Sequence, residues 1–114
     1  MSLSDLRHDE EAALAIEVRP GEHDVVVKVS GEIDLSTVAT LRSVLESVEP
    51  TSGRLVLDLS DVSFLDSMGV GLLVEAARRC ASELRQLVLR APSERVRQVL
   101  EITGLHQIVP IVAA

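Results

Sequence analysis

The chain has 114 residues, of which 46% are hydrophobic and 25% charged, and its formal net charge at pH 7 is -7. This length is typical of a single domain. The acidic balance and the single aromatic residue, Phe64, argue against the basic surface and stacking platforms of nucleic-acid binding proteins. There is no apolar run long enough to span a bilayer, no resemblance to a signal peptide, and only one cysteine, Cys80. We therefore expect a cytoplasmic domain without a cofactor or metal and without membrane or nucleic-acid partners.

The chain begins with a polar stretch, residues 1–12, which is predicted to be a flexible tail and leaves residues 13–114 for the folded domain. Apolar and polar residues then alternate, as in a strand with one buried face. The apolar positions of this strand are Leu14, Ile16 and Val18. Turn-forming residues 20–24 separate it from a second strand at residues 25–30, and so short a link favours an antiparallel hairpin.

The hydrophobic period then changes to that of a helix. The apolar positions of this first helix are Val38, Leu41, Leu45 and Val48. Asp34 or Ser36 is available as its N-cap, and Pro50 lies beyond its end. A nearly continuous apolar run at residues 55–59 follows, which is typical of a strand buried on both faces.

The second half of the chain continues this alternation of strand and helix. Residues 60–67 are predicted to form a loop that leads into a second helix. The core stripe of that helix is Leu73, Ala76, Ala77 and Cys80. A strand at residues 87–89 precedes a third helix, which Ser93 caps and Gly104 stops with Leu105 packed behind it.

Residues 108–112 form the last predicted strand, and Pro110 marks it as an edge strand. The order is therefore β-β-α-β-α-β-α-β. Alternating strands and helices require right-handed crossovers, so the sequence predicts a single α/β domain with a mostly parallel sheet and an antiparallel N-terminal edge strand. Functional sites in such sheets lie at the carboxyl ends of the strands.

The most unusual of these ends is the start of the second helix. Asp66 and Ser67 precede Gly69 and Gly71, and each glycine inside a helix costs about 1 kcal/mol relative to alanine. Two glycines there indicate close backbone packing or access to the helix start. Asp66 or Ser67 alternatively serves only as the N-cap.

Two apolar residues of this helix, Met68 and Leu72, fall off its predicted core stripe. They form either an apolar contact patch or a half-buried lid on the core, and the sequence pattern leaves both open.

Residues 56–69 resemble the signature of STAS domains, which include the anti-sigma factor antagonists of bacterial partner-switching systems. The shared pattern is an apolar strand, a short loop with an aromatic residue, and Asp-Ser-x-Gly opening a helix. Residues 31–35 are similar to the family's segment before its first helix, and residues 103–105 resemble its late Thr-Gly-Leu turn. The match covers residues 13–112 in consistent order. Met68 departs from the family, which more often has a small residue at that position.

The resemblance implies a protein without catalytic activity of its own. Its unmodified form would bind an anti-sigma factor, a serine kinase with a GHKL-type ATP fold, and so release a sigma factor. The kinase would phosphorylate Ser67, and a PP2C-type phosphatase would reverse the modification. The partner surface would contain Asp34, Asp66, Ser67, Met68, Gly69 and Leu72. Asp34 fits equally well as a helix N-cap, and both roles are compatible.

Other interpretations have less support from the residues. A serine hydrolase needs glycine two residues before its serine, where Leu65 stands. A receiver-type phosphoacceptor domain, with aspartates around Mg²⁺, relies on a late lysine, whereas Lys28 lies in an early strand. Within the STAS resemblance, a stand-alone accessory subunit of a lipid-transport ATPase or of a stress-sensing assembly stays open. Ser67 would then be an unmodified contact residue.

Overall fold

A computed structural model describes residues 14–49 and 53–113, so the tail predicted at residues 1–12 lies outside the described residues. The elements, in chain order, are β1 (Leu14–Pro20), β2 (Val25–Ile33), α1 (Val38–Ser47), β3 (Leu55–Leu65), α2 (Ser67–Ser82), β4 (Leu87–Arg90), α3 (Glu94–Ile102), a 3-10 turn (Leu105–Gln107) and β5 (Ile111–Val112). The predicted α/β class and element order are confirmed.

The five strands of the described residues form one sheet in the order β1-β2-β3-β4-β5. β1 pairs with β2 antiparallel, and the remaining neighbours are parallel, as predicted. One cross-strand row, Val27, Leu57 and Leu89, is wholly buried. Such aliphatic side chains each contribute roughly 1.5–3 kcal/mol when buried, which allows a core with almost no aromatic residue.

The prediction of a loop at residues 60–67 is wrong, because β3 continues to Leu65 beside the end of β2. Two register shifts place Ser30 opposite Asp61 and Glu32 opposite Phe64. Each shift inserts an extra residue into β3, which breaks the simple alternation of buried and exposed side chains. β3 therefore projects seven residues past Asp58, the last β3 residue that pairs with β4.

Three smaller expectations also fail. Thr37, rather than Asp34 or Ser36, is the N-cap residue of α1. The last strand begins at Ile111 instead of residue 108, because a 3-10 turn follows Gly104 and the buried Val109 packs into the core. Val18, which was predicted to lie on the buried face of β1, is 42% exposed.

The signals around α3 are confirmed. The Ser93 hydroxyl accepts a hydrogen bond from the backbone N–H of Val96 at 3.2 Å. Gly104 is left-handed, with φ of 78°, and Leu105 behind it is buried. None of the described helices combines the length and hydropathy that a membrane crossing requires.

Candidate functional site

At the start of α2, the sequence left open whether Asp66 or Ser67 is the N-cap, and the structure gives the two residues different roles. Asp66 is the N-cap, and its carboxylate accepts hydrogen bonds from the backbone N–H groups of Met68 (2.9 Å) and Gly69 (3.1 Å). Ser67 is the first helical residue and is exposed. Among the described residues, its hydroxyl has no hydrogen-bond partner. The serine hydroxyl is therefore available to another molecule while the helix remains capped.

Gly69 explains why Ser67 faces outward. A Cβ at Gly69 would meet the Leu65 side chain, would lie 2.8 Å from the Ile33 side chain, and would lie 3.2 Å from the Ile33 carbonyl oxygen. The first turn of α2 therefore rests directly on the ends of β2 and β3. Successive helical residues are about 100° apart, so Ser67 and Gly69 point to nearly opposite sides. Gly69 is buried and belongs to the packing beneath the site, which corrects its assignment to the partner surface.

The assignment of Leu72 to the partner surface is also wrong in this structure. Leu72 is 2% exposed and belongs to the hydrophobic core. It lies one helical turn after Gly69, on the same buried side, so the core stripe of α2 is wider than its sequence indicates. Met68 is 44% exposed and remains at the surface, so these two residues do not form one patch.

Asp34 lies in the neighbouring loop, directly after β2. Its carboxylate accepts hydrogen bonds from the backbone N–H of Ser36 (2.9 Å) and from the Ser36 hydroxyl (2.7 Å), with the Thr37 hydroxyl 3.3 Å away. The hydrogen bond from the Ser36 hydroxyl is the main cause that holds the pKa of Asp34 below its ordinary value. Asp34 is therefore a stable negative charge, used within its own loop.

The two aspartates lie at the same end of adjacent strands. Ile33 and Leu65 are partners in the sheet register, and Asp34 and Asp66 directly follow them. The backbone N–H of Asp66 also donates to the Ile33 carbonyl oxygen at 3.2 Å. The structure thus brings together the loop of Asp34 and the helix start of Ser67, as the carboxyl-end rule predicts.

Two apolar residues were absent from the predicted site, one directly after Asp34 and one three residues before Ser67 along the chain. Leu35 is 73% exposed and Phe64 is 41% exposed. We define the Ser67 surface as Asp34, Leu35, Phe64, Asp66, Ser67 and Met68. Exposed apolar side chains grouped with polar ones often mark protein interaction sites. Phe64 stood out in the sequence as the single aromatic residue of an otherwise aliphatic chain. Because it was predicted to lie in a loop, the sequence did not indicate which way its side chain points.

The aspartates do not form a magnesium site in the described part of the chain, where no group of three or more metal-ligating side chains occurs. Asp58 pairs with Arg90 at 2.9 Å, and Asp61 pairs with Lys28 at 3.3 Å. Burial alone would raise the pKa of Asp58, but hydrogen bonds from Arg90 and Ser60 lower it to about 2. These carboxylates already have cationic partners within the protein.

Comparison with known proteins gives a consistent family. The STAS domain model matches residues 13–114. The anti-sigma-B factor antagonist of Bacillus subtilis is 34% identical over 98 residues, covering 86% of this chain and 90% of that protein. The crystal structure of an anti-sigma factor antagonist from Mycobacterium paratuberculosis is 30% identical with a TM-score of 0.77, covering 90% of this chain and 88% of that one. The anti-sigma factor antagonist SpoIIAA in its unphosphorylated form is 25% identical with a TM-score of 0.71, covering 85% and 87%. The chain therefore belongs to the STAS domain family.

Proposed function

We propose that this chain is an anti-sigma factor antagonist that binds its anti-sigma factor through the Ser67 surface and is switched off by phosphorylation of Ser67. Relatives at 30–34% identity carry the name of anti-sigma factor antagonists, which supports the first part. One observation carries the second part: the Ser67 hydroxyl is exposed and uncommitted because Asp66 alone caps α2.

The start of α2 suits a switch that leaves the fold intact. Phosphate adds about −1.5 to −2 charges and three strong acceptor oxygens. A helix N-terminus favours an anion, so phosphorylated Ser67 should not unfold the helix. A partner surface that fits a neutral hydroxyl would instead meet a dianion beside Asp66. The resulting repulsion and desolvation lower the affinity, because each 1.4 kcal/mol is a factor of about ten.

The proposed partners are those that the family resemblance implies. The anti-sigma factor is a serine kinase with a GHKL-type ATP fold, and it supplies both the catalytic groups and the phosphoryl donor. A PP2C-type phosphatase removes the phosphate. The chain itself contributes the acceptor hydroxyl and the docking surface, performs no catalysis, and acts in the cytoplasm.

The acceptor is tested by incubating the chain with its kinase and ATP and locating phosphate by mass spectrometry. We expect one phosphate on the wild type, none on Ser67→Ala, and one on Ser36→Ala. Ser36 is a matched control because it is also exposed and also lies shortly after an aspartate, but its hydroxyl donates to Asp34. Phosphate on Ser67→Ala at the wild-type level would refute the assignment.

The switch is tested by calorimetric binding to the same kinase. Ser67→Asp should bind at least about tenfold more weakly than wild type, whereas Ser67→Ala should bind with similar affinity. Ser82→Asp carries the same charge change about 22 Å away along α2 and should leave binding unchanged. Equal affinity of Ser67→Asp and wild type contradicts the proposal. Recovery of a membrane ATPase instead of a kinase in pull-downs would favour the accessory-subunit function.

A further inference from the structure

β1 forms one edge of the sheet and has a self-complementary pattern of side chains. β1 is the terminal strand of the sheet, and no strand among the described residues pairs with its other edge. Its residues Glu17 and Arg19 carry opposite charges on either side of Val18, and their side chains are 3.0 Å apart. An unpaired edge presents backbone N–H and C=O groups that can pair with another strand.

The backbone hydrogen bonds show which residues of β1 face outward. The N–H of Val25 donates to the carbonyl oxygen of Arg54, the residue before β3. The backbone N–H and C=O groups of Val25 and Val27 therefore point toward β3, whereas those of Val26 point toward β1. Arg19 is the register partner of Val26 and therefore turns its backbone groups inward, toward β2. Alternation then directs the backbone N–H and C=O of Val18 outward, together with those of Ile16.

Pro20 also occupies an outward position, by the same alternation. A proline has no N–H to offer a neighbouring strand, and prolines in sheets are confined to such edge positions. Because Pro20 cannot donate, Ile16 and Val18 are the outward-pointing N–H donors in the central and last part of β1. A partner strand centred on Val18 would use both.

We propose that β1 pairs antiparallel with β1 of a second copy of this chain, about a two-fold axis through Val18. In this register the Val18 residues exchange two hydrogen bonds, and each Ile16 N–H donates to the other copy's Pro20 carbonyl oxygen. Glu17 lies opposite the other copy's Arg19, in the pair type where side chains are closest. An isologous contact of this kind makes both charge pairs at once.

Charge selects this register over its neighbours. Shifting the axis to Glu17 would place the two Glu17 carboxylates opposite each other, which is unfavourable. Shifting it to Ile16 would place Glu17 opposite Ala15 and forfeit both ion pairs. The Val18 side chain, which is 42% exposed, would pack against its symmetry mate. Because the pairing involves a five-residue stretch and exposed charges, we expect a weak dimer that salt weakens further.

The proposal is tested by sedimentation equilibrium of the full chain from about 10 μM to about 1 mM. Wild type should dimerise over this range. Glu17→Arg and Arg19→Glu should each raise the dimer dissociation constant by about tenfold, because like charges then face each other. The double swap should restore dimerisation, because opposite charges face each other again with their positions exchanged. Glu101→Arg and Arg95→Glu are matched controls on α3 and should dimerise as wild type does.

A second variant tests the backbone contribution. Val18→Pro removes an outward N–H, which the β1–β2 pairing does not use, so the circular dichroism spectrum should stay native while the dimer is lost. A wild type that remains monomeric to about 1 mM would overturn the proposal. A dimer that is unaffected by the single charge reversals, or that the double swap does not restore, would overturn it as well.

Discussion

Two loops of this protein each place an exposed serine shortly after an aspartate, but they use the serine differently. After β2 the chain reads Asp34-Leu35-Ser36-Thr37, and after β3 it reads Asp66-Ser67-Met68-Gly69. In the first loop, the Ser36 hydroxyl donates to the Asp34 carboxylate at 2.7 Å. In the second loop, the Asp66 carboxylate accepts hydrogen bonds only from backbone N–H groups among the described residues. The Ser67 hydroxyl has no hydrogen-bond partner in the same part of the chain.

The difference arises from where each helix begins. α1 begins four residues after Asp34, which leaves room for a turn in which Ser36 donates back to that carboxylate. α2 begins at the residue directly after Asp66. Gly69 allows this immediate start, because any larger residue would collide with side chains at the ends of β2 and β3. Ser36 and Ser67 are both exposed, so exposure does not distinguish them. The local backbone geometry is what makes Ser67 the candidate switch.

The largest effect that should disturb this arrangement comes from Gly69→Ala. The added methyl group overpacks the contact of α2 with the ends of β2 and β3, so we expect the free energy of unfolding to fall by about 1–3 kcal/mol. Urea denaturation followed by circular dichroism measures it.

Gly71→Ala is the matched control in the same helix. A Cβ at Gly71 has no atom of another part of the described chain within 4 Å, so the higher helix propensity of alanine should raise stability by up to about 1 kcal/mol. Equal effects of the two substitutions would show that Gly69 does not set the position of the helix start.

The sequence predicted most of the fold because its strongest signals are local. Ser93 and Gly104 delimit α3 through capping and a left-handed residue, which depend on near neighbours. The hydrophobic period also placed Leu41 and Leu73 in the core. Asp66 and Ser67 were brought to the rim of the sheet as expected, since parallel strands end at the same edge.

The failures involve contacts between distant parts of the chain. The extension of β3 through residues 60–65 depends on pairing with β2 and on register shifts that no local pattern encodes. Leu72 is buried because α2 packs at an angle that includes it, which the spacing along one helix does not determine. The exposure of Phe64 follows from the same register shifts, so its place on the Ser67 surface was not predictable.

A smaller effect should come from Asp66→Ala, which removes the N-cap of α2. Loss of an N-cap typically lowers stability by about 1 kcal/mol, and denaturation with urea would measure it. Asp66→Asn should retain most of that stability, because asparagine is also a good N-cap. If alanine and asparagine destabilise equally, the charge of Asp66 rather than its hydrogen bonds supports the helix start.

The smallest effect concerns the ionisation of Asp34, whose pKa is lowered from 3.8 mainly by the Ser36 hydroxyl. A depressed pKa means that the stabilisation which depends on the ionised carboxylate is present above the unfolded-state pKa of 3.8 and is lost as the pH falls through the lower, folded-state pKa. The NMR signal of the Ser36 amide should therefore titrate with a midpoint below 3.8. Ser36→Ala removes the hydroxyl donor and should raise that midpoint, while Asp34→Asn should abolish the titration. A midpoint that Ser36→Ala leaves unchanged would mean that the Ser36 hydroxyl is not committed to Asp34, and the contrast between the two serines would then be lost.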